Sequence, residues 1–149
     1  MEIITDSYIE RETEETKKAE ALLAERVGKY WRAKLKKMDK VYTLDFAIWR
    51  AGSVKAWAEC KCRPFPYDKY PTYMMSVKKL NACREYALTT KLKAFWIAGY
   101  TDGDYWVDTA IILDRAKEFR KDMGGTEKRG WSRDIEPMIY VPIELFNKF

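Results

Sequence analysis

The ten residues VKAWAECKCR (54–63) constrain the fold more than any other part of the chain. Read as a strand, they alternate faces, so Glu59 and Lys61 point one way while Cys60 and Cys62 point the other. Free cysteine behaves as a small hydrophobe, so the cysteine face is where a helix should pack. Glu and Lys are poor strand formers, and an acid and a base together on the opposite face call for a reason beyond structure. The preceding segment, VYTLDFAIW (41–49), is rich in β-branched and aromatic residues, and RAGS (50–53) has turn chemistry. The two strands therefore read as a hairpin. That hairpin brings Asp45, set among apolar residues, opposite the Glu59–Lys61 face.

The period changes on both sides of the hairpin. Upstream, Ala19, Leu22, Leu23, Val27, Tyr30, Trp31 and Leu35 recur at helical spacing. Thr13 and Thr16 are candidate caps. Glu14, Glu15 and Glu20 lie early in this helix, with Lys34, Lys36 and Lys37 at its end, as the helix dipole favours. Downstream, PFPYDKYP (64–71) holds three prolines and is expected to be irregular or an edge segment. SVKKLNACREYALTT (76–90) reads as a second helix capped by Ser76. KAFWIAGY (93–100) reads as a buried strand, TDGD (101–104) as a turn and YWVDTAII (105–112) as a further strand. A basic loop and a last strand, MIYVPIELF (138–146), complete the chain. The order α-β-β-(β)-α-β-β predicts an α/β (α+β) fold with a central mixed sheet flanked by helices. The whole chain, 1–149, reads as one domain with a core at about 13–112 and a C-terminal extension at 113–149.

Composition then narrows the chemistry. There is no histidine, which excludes Ser-His and Cys-His nucleophile pairs and His-ligated zinc. The cysteines number three, too few and too odd for a disulfide framework, and a thiolate zinc site lacks ligands. A net charge of +5 is compatible with a polyanionic partner. No window approaches the ~18 apolar residues that span a bilayer, so a soluble, intracellular protein is expected.

Asp45 and Glu59 converging on one point make a hard-oxygen site suited to Mg²⁺ or Mn²⁺. Such an ion polarises a phosphoryl oxygen, and an adjacent Lys61 would orient water or stabilise developing charge. The constellation therefore predicts metal-dependent hydrolysis of a phosphodiester. The plainer alternative is that Glu59 and Lys61 are solvated strand residues and Asp45 a turn or surface acid.

The arrangement of a helix, Asp45 in "LDF", Glu59 and Lys61 in "ECK", then a helix and a strand resembles the PD-(D/E)XK nuclease superfamily. Leu44 stands where the proline of the motif name would be. The resemblance covers roughly residues 13 to 112 and, around YPTYMMSVKK, extends to phage-encoded members. It implies a restriction-endonuclease-like core in which Asp45 and Glu59 bind Mg²⁺ or Mn²⁺ and Lys61 assists the water. Members often add an acid on the first helix; of Glu15, Glu20 and Glu25, Glu20 lies at the edge of the apolar stripe and is the expected third ligand. They also often carry a polar residue on the following helix, and Lys79, at the apolar border, fits better than Lys78.

The remaining candidates concern the substrate. Arg63, directly after the motif strand, and Lys128, Arg129 and Arg133 around Trp131 are expected to contact nucleic-acid phosphates. The expected activity is an endo- or exodeoxyribonuclease acting on DNA in a bacterial or phage-infected cytoplasm, with a homodimer open to it. The competing classes are a non-catalytic nucleic-acid-binding module and a protein–protein adaptor or inhibitor.

Overall fold

Thr13 starts the first helix: its Oγ1 accepts from the backbone N of Thr16 at 3.1 Å. The helix α1 (Glu14–Trp31) buries Glu20, Leu23, Ala24 and Val27. It ends where Arg32 turns into the left-handed region at φ 51° and its N–H donates to the Gly28 carbonyl. The sequence periodicity carried this helix on to Leu35, but residues Lys34–Lys37 instead form strand β1. Lys34, Lys36 and Lys37 are therefore not at the helix C-terminus. A segment Lys-Leu-Lys-Lys with one apolar residue fits either period, and the αL reversal at Arg32 decides. As the outermost strand of the sheet, β1 carries lysines of the kind that discourage edge-to-edge pairing.

The computed structural model describes residues 13–125 and 135–149. The expected hairpin is present as β2 (Phe46–Arg50) and β3 (Ser53–Cys62), antiparallel with Phe46 opposite Ala58. Its two-residue turn has positive φ at both Ala51 (52°) and Gly52 (81°), the primed geometry that matches strand twist. The first strand begins only at Phe46, so Asp45 lies just outside it, tied by its carbonyl to the Met38 N–H at 2.8 Å. β4 (Thr72–Ser76) follows the proline-rich segment and leads into α2 (Val77–Thr90), whose N-cap is Ser76. β5 (Lys93–Tyr100) runs parallel to β3, with Glu59 opposite Trp96 and Lys61 opposite Ala98. β6 (Gly103–Asp108) is shorter than expected, because Asp108 caps a short helix, α3 (Thr109–Asp114). A 3-10 turn, β7 (Lys121–Gly125), β8 (Ile135–Pro142), a second 3-10 turn and β9 (Asn147–Lys148) complete the chain.

Two sheets result. The first has the order β1-β2-β3-β5-β6-β9 and is mixed, its one parallel pair being β3 and β5. The second has the order β4-β8-β7. The C-terminal segment thus pairs through β8 with β4 and through β9 with β6.

The alternation read from the sequence separates the two faces of the large sheet. On one, Leu23, Ala24 and Val27 of α1 pack on Phe46, Ile48, Ala56, Ala58, Cys60 and Ile97. On the other, Leu80 and Cys83 of α2 pack with Ala94, Trp96 and Ala98, joined by Tyr73 and Met75. Arg26 clamps α1 to β6 through a bidentate pair with buried Asp104, Nε to Oδ2 at 2.7 Å and Nη2 to Oδ1 at 3.0 Å. No described helix is long and apolar enough to cross a membrane.

At Gly99 on β5, α1 packs tightly on the sheet. A Cβ there would lie 3.2 Å from Leu23 Cδ2 and 3.4 Å from Cys62 Sγ. Gly99→Val overpacks this contact and is expected to lose about 1–3 kcal/mol. Urea unfolding with an unchanged m-value checks it.

Candidate active site

Register places the acids. Because Phe46 faces Ala58, the preceding Asp45 reaches the Glu59–Cys60 level, and its Oδ2 accepts from the Cys60 N–H at 3.3 Å. Its other oxygen, Oδ1, lies 3.3 Å from Lys37 Nζ, a half-exposed pair of small energetic value. Lys37 had no place in the sequence reading of this site, because it was assigned to a helix end.

Glu59 is fully buried, and neither Oε1 nor Oε2 has a hydrogen-bond partner among the described residues. The nearest cations are Lys79 Nζ at 3.8 Å and Lys61 Nζ at 3.9 Å, both from Oε2. These are ion pairs at the limit of contact and too long for hydrogen bonds. Burial first, and Asp45 beside it second, push the Glu59 carboxyl up to about 8 against the two ammonium groups. For Lys61, burial opposes the charge, yet Glu59, Glu20 and Asp45 together raise its pKa above the usual lysine value.

Lys79 has a firmer partner than Glu59. Its Nζ donates to the Thr43 carbonyl at 2.6 Å, bracing α2 against the segment that carries Asp45. Glu20 is buried on α1, and its charge acts on Lys61, Cys60 and Cys62. Among the described residues, no three acids or cysteines gather into a cation cluster. Cys60 is fully buried, Cys62 and Cys83 are free thiols as well, and burial pushes all three up in pKa.

A cavity of about 260 Å³ opens beside these residues, lined by Lys61, Arg63, Ser76, Lys78, Lys79 and Glu136 among others. The Arg63 guanidinium lies 4.6 Å from the Tyr73 ring centroid, and its Nη2 donates to the Met74 carbonyl at 3.3 Å. Glu136 on β8 accepts from Ser76 Oγ at 2.5 Å. No sequence signal marks Glu136, since it reaches the cavity only through pairing of the second sheet. Lys128, Arg129 and Arg133 lie outside the described residues.

A central mixed sheet with a helix on each face and an Asp/Glu-x-Lys hairpin on one of them is the PD-(D/E)XK nuclease architecture. Solved structures share it. The Holliday junction resolvase Hjc of Archaeoglobus fulgidus superposes with a TM-score of 0.55 at 8% identity, covering 88% of this chain and 92% of that one. The nuclease D212 of a fusselovirus superposes with a TM-score of 0.51 at 14% identity, covering 88% and 79%. At such identities the likeness is one of fold. No curated protein matches the sequence significantly. A family model described as "Phage putative PDDEXK endonuclease" matches residues 8–149, and the chain belongs to that family.

The Glu59 environment sets a pH dependence. A carboxyl raised from 4.5 to about 8 binds its proton more tightly in the folded state, so its contribution to stability falls as pH rises through that window. In EDTA, the stability of Glu59→Gln relative to wild type is expected to shift in the variant's favour between pH 5 and 9. The shift should be on the order of a few kcal/mol, read from urea unfolding at each pH.

Proposed function

We propose that the protein is a divalent-metal-dependent nuclease that hydrolyses phosphodiester bonds of DNA. The observation that carries this reading is Glu59, a fully buried carboxylate with both oxygens unpartnered among the described residues, set against Asp45. Buried polar atoms are nearly always satisfied, and a carboxyl whose proton is held by burial and by Asp45 beside it suits a cation that takes that proton's place. Two carboxylates fit Mg²⁺ or Mn²⁺, which take the rest of their shell from water and substrate oxygens. When bound, the ion supplies Lewis-acid polarisation of the scissile phosphate.

The chain's own groups divide the remaining work. Lys61, beside Glu59 at the cavity mouth, orients the attacking water and offsets negative charge that develops on the phosphate. Lys79 holds the Thr43 carbonyl and so fixes the segment that presents Asp45. Glu20, buried on α1, is the candidate third acid for the ion, and its charge also favours the charged form of Lys61. Arg63, Lys79 and Lys78 border the cavity and meet the phosphate backbone, and Lys128, Arg129 and Arg133 are further phosphate contacts that the sequence alone suggests. Membership of an endonuclease family and the net charge of +5 support this assignment. A two-fold homodimer would let two such sites cut both strands of a duplex.

Incubation with plasmid, linear, single-stranded and branched DNA, and with RNA, in Mg²⁺, Mn²⁺ or EDTA tests the proposal. Cleavage of DNA that needs the metal and drops at least ~100-fold in Asp45→Asn, Glu59→Gln and Lys61→Ala is expected. Metal-independent cleavage, or a fully active variant, overturns it; DNA binding without any cleavage points to a non-catalytic module. Independently of activity, Mg²⁺ should raise the melting temperature of wild type and of Lys61→Ala. It should not raise that of Asp45→Asn or Glu59→Gln.

A further inference from the structure

The proline-rich segment 64–71 forms one wall of a cavity of about 560 Å³. Its lining is aromatic to an unusual degree: Phe65, Tyr67, Tyr70, Tyr73, Tyr100 and Tyr140. Two guanidiniums, from Arg63 and Arg120, also line it, and no carboxylate does among the described residues. Arg120 lies over the Tyr140 ring at 3.8 Å, as Arg63 lies over that of Tyr73.

The wall is built in advance of any ligand. Three prolines restrict its backbone. The Phe65 carbonyl accepts from the Thr101 N–H at 3.2 Å, and the Tyr67 hydroxyl donates to the Ile143 carbonyl at 2.6 Å. The Pro71 carbonyl accepts from the Ile143 N–H at 3.1 Å. Tyr67 stacks on Tyr105 with ring centroids 3.9 Å apart. Tyr70 remains half exposed at the opening, with its ring edge-on to Phe65.

We propose that this aromatic cavity takes one unpaired nucleobase of the DNA strand being cut. The inference rests on the nuclease reading above and specifies its substrate. An aromatic-lined space with guanidiniums and, among the described residues, no carboxylate suits a ligand that is aromatic in the middle and anionic at its ends. Its volume lies in the range of sites that enclose a small ligand, large enough for a base with its sugar. Arg63 and Met74 line both this cavity and the smaller one over Lys61 and Lys79. A base lodged here therefore places its own phosphate near Arg63 and the adjoining one toward Lys61. Substrates that offer an unpaired nucleotide beside the scissile bond, such as flapped, branched, mismatched or single-stranded DNA, are preferred over uninterrupted duplex.

The test uses fluorescein-labelled duplexes in EDTA, read by anisotropy. One probe carries a single unpaired deoxyadenosine, a second carries an abasic analogue at that position, and a third is fully paired. Wild type is expected to bind the first about ten-fold more tightly than the second. Tyr70→Ala and Tyr140→Ala each bring that ratio toward one. Equal binding of the base-containing and abasic probes by wild type overturns the proposal. So does free deoxyadenosine monophosphate that displaces the first probe at probe concentration, which would mark a mononucleotide site. Equal binding together with Mg²⁺-dependent cleavage removes the base pocket alone, whereas a protein that neither binds nor cuts DNA removes the nuclease reading with it.

Discussion

A carboxyl buried within the main sheet with no hydrogen-bond donor on it among the described residues is the constraint around which this structure is organised. Glu59 sits fully buried on the strand that pairs in parallel with β5, opposite Trp96. At about 4 Å and an effective dielectric of about 20, each lysine would attract it by on the order of 4 kcal/mol. Two such ammonium groups stand near it, and still the carboxyl is driven upward, so desolvation together with Asp45 wins. A protein that folded for stability alone would place an apolar residue here or close the lysines onto the acid. Keeping the two cations just beyond hydrogen-bond reach leaves lone pairs free for something else.

The rest of the fold maintains that spacing. On the cysteine face, Leu23 and Val27 of α1 press against Cys60 and Ile97 and fix β3 and β5 from behind. On the acid face, Ser76 caps α2 and also donates to Glu136 of β8, so the start of the helix is tied to the second sheet. Trp96, the strand neighbour of Glu59, donates its indole N–H to the Tyr73 hydroxyl at 2.9 Å. The small sheet is therefore part of the site's support, and it brings in Glu136 as well.

How much of this could be read in the sequence follows from how local each feature is. The alternation in WAECKC separates Glu59 from Cys60 with no tertiary information, and it held. The strand Lys93–Tyr100 was likewise legible, because a short apolar run between breakers admits few other structures. β1 was not, since Lys34–Lys37 carries one apolar residue and no period. The helix at Thr109–Asp114 was read as strand because Thr, Ile and Ile favour strands, and the cap from Asp108 overrode them. At the site, Glu59, Lys61 and Asp45 could be paired by counting along a hairpin. Lys37 could not, because its segment was read as the end of a helix, and Glu136 could not, because its position depends on the pairing of β8 with β4 across a long stretch of chain.

Lys61 and Lys79 show where distance to a single atom misleads. They lie 3.9 Å and 3.8 Å from the same Glu59 oxygen, and on that measure they are equivalent. The bond that Lys79 makes elsewhere separates them: at 2.6 Å to the Thr43 carbonyl it is a hydrogen bond, and 3.8 Å is not. Residues 38 to 45 run between β1 and β2 without strand pairing of their own, so a segment that must present Asp45 accurately needs an outside brace. Lys79 supplies it from the first turn of α2, a helix whose own start is fixed by Ser76. Lys61 stands on the motif strand itself, held by the charges of Glu59, Glu20 and Asp45 and facing the cavity. One lysine thus ties α2 to the segment that carries Asp45 while also lining the cavity, and the other lines the cavity from the motif strand itself.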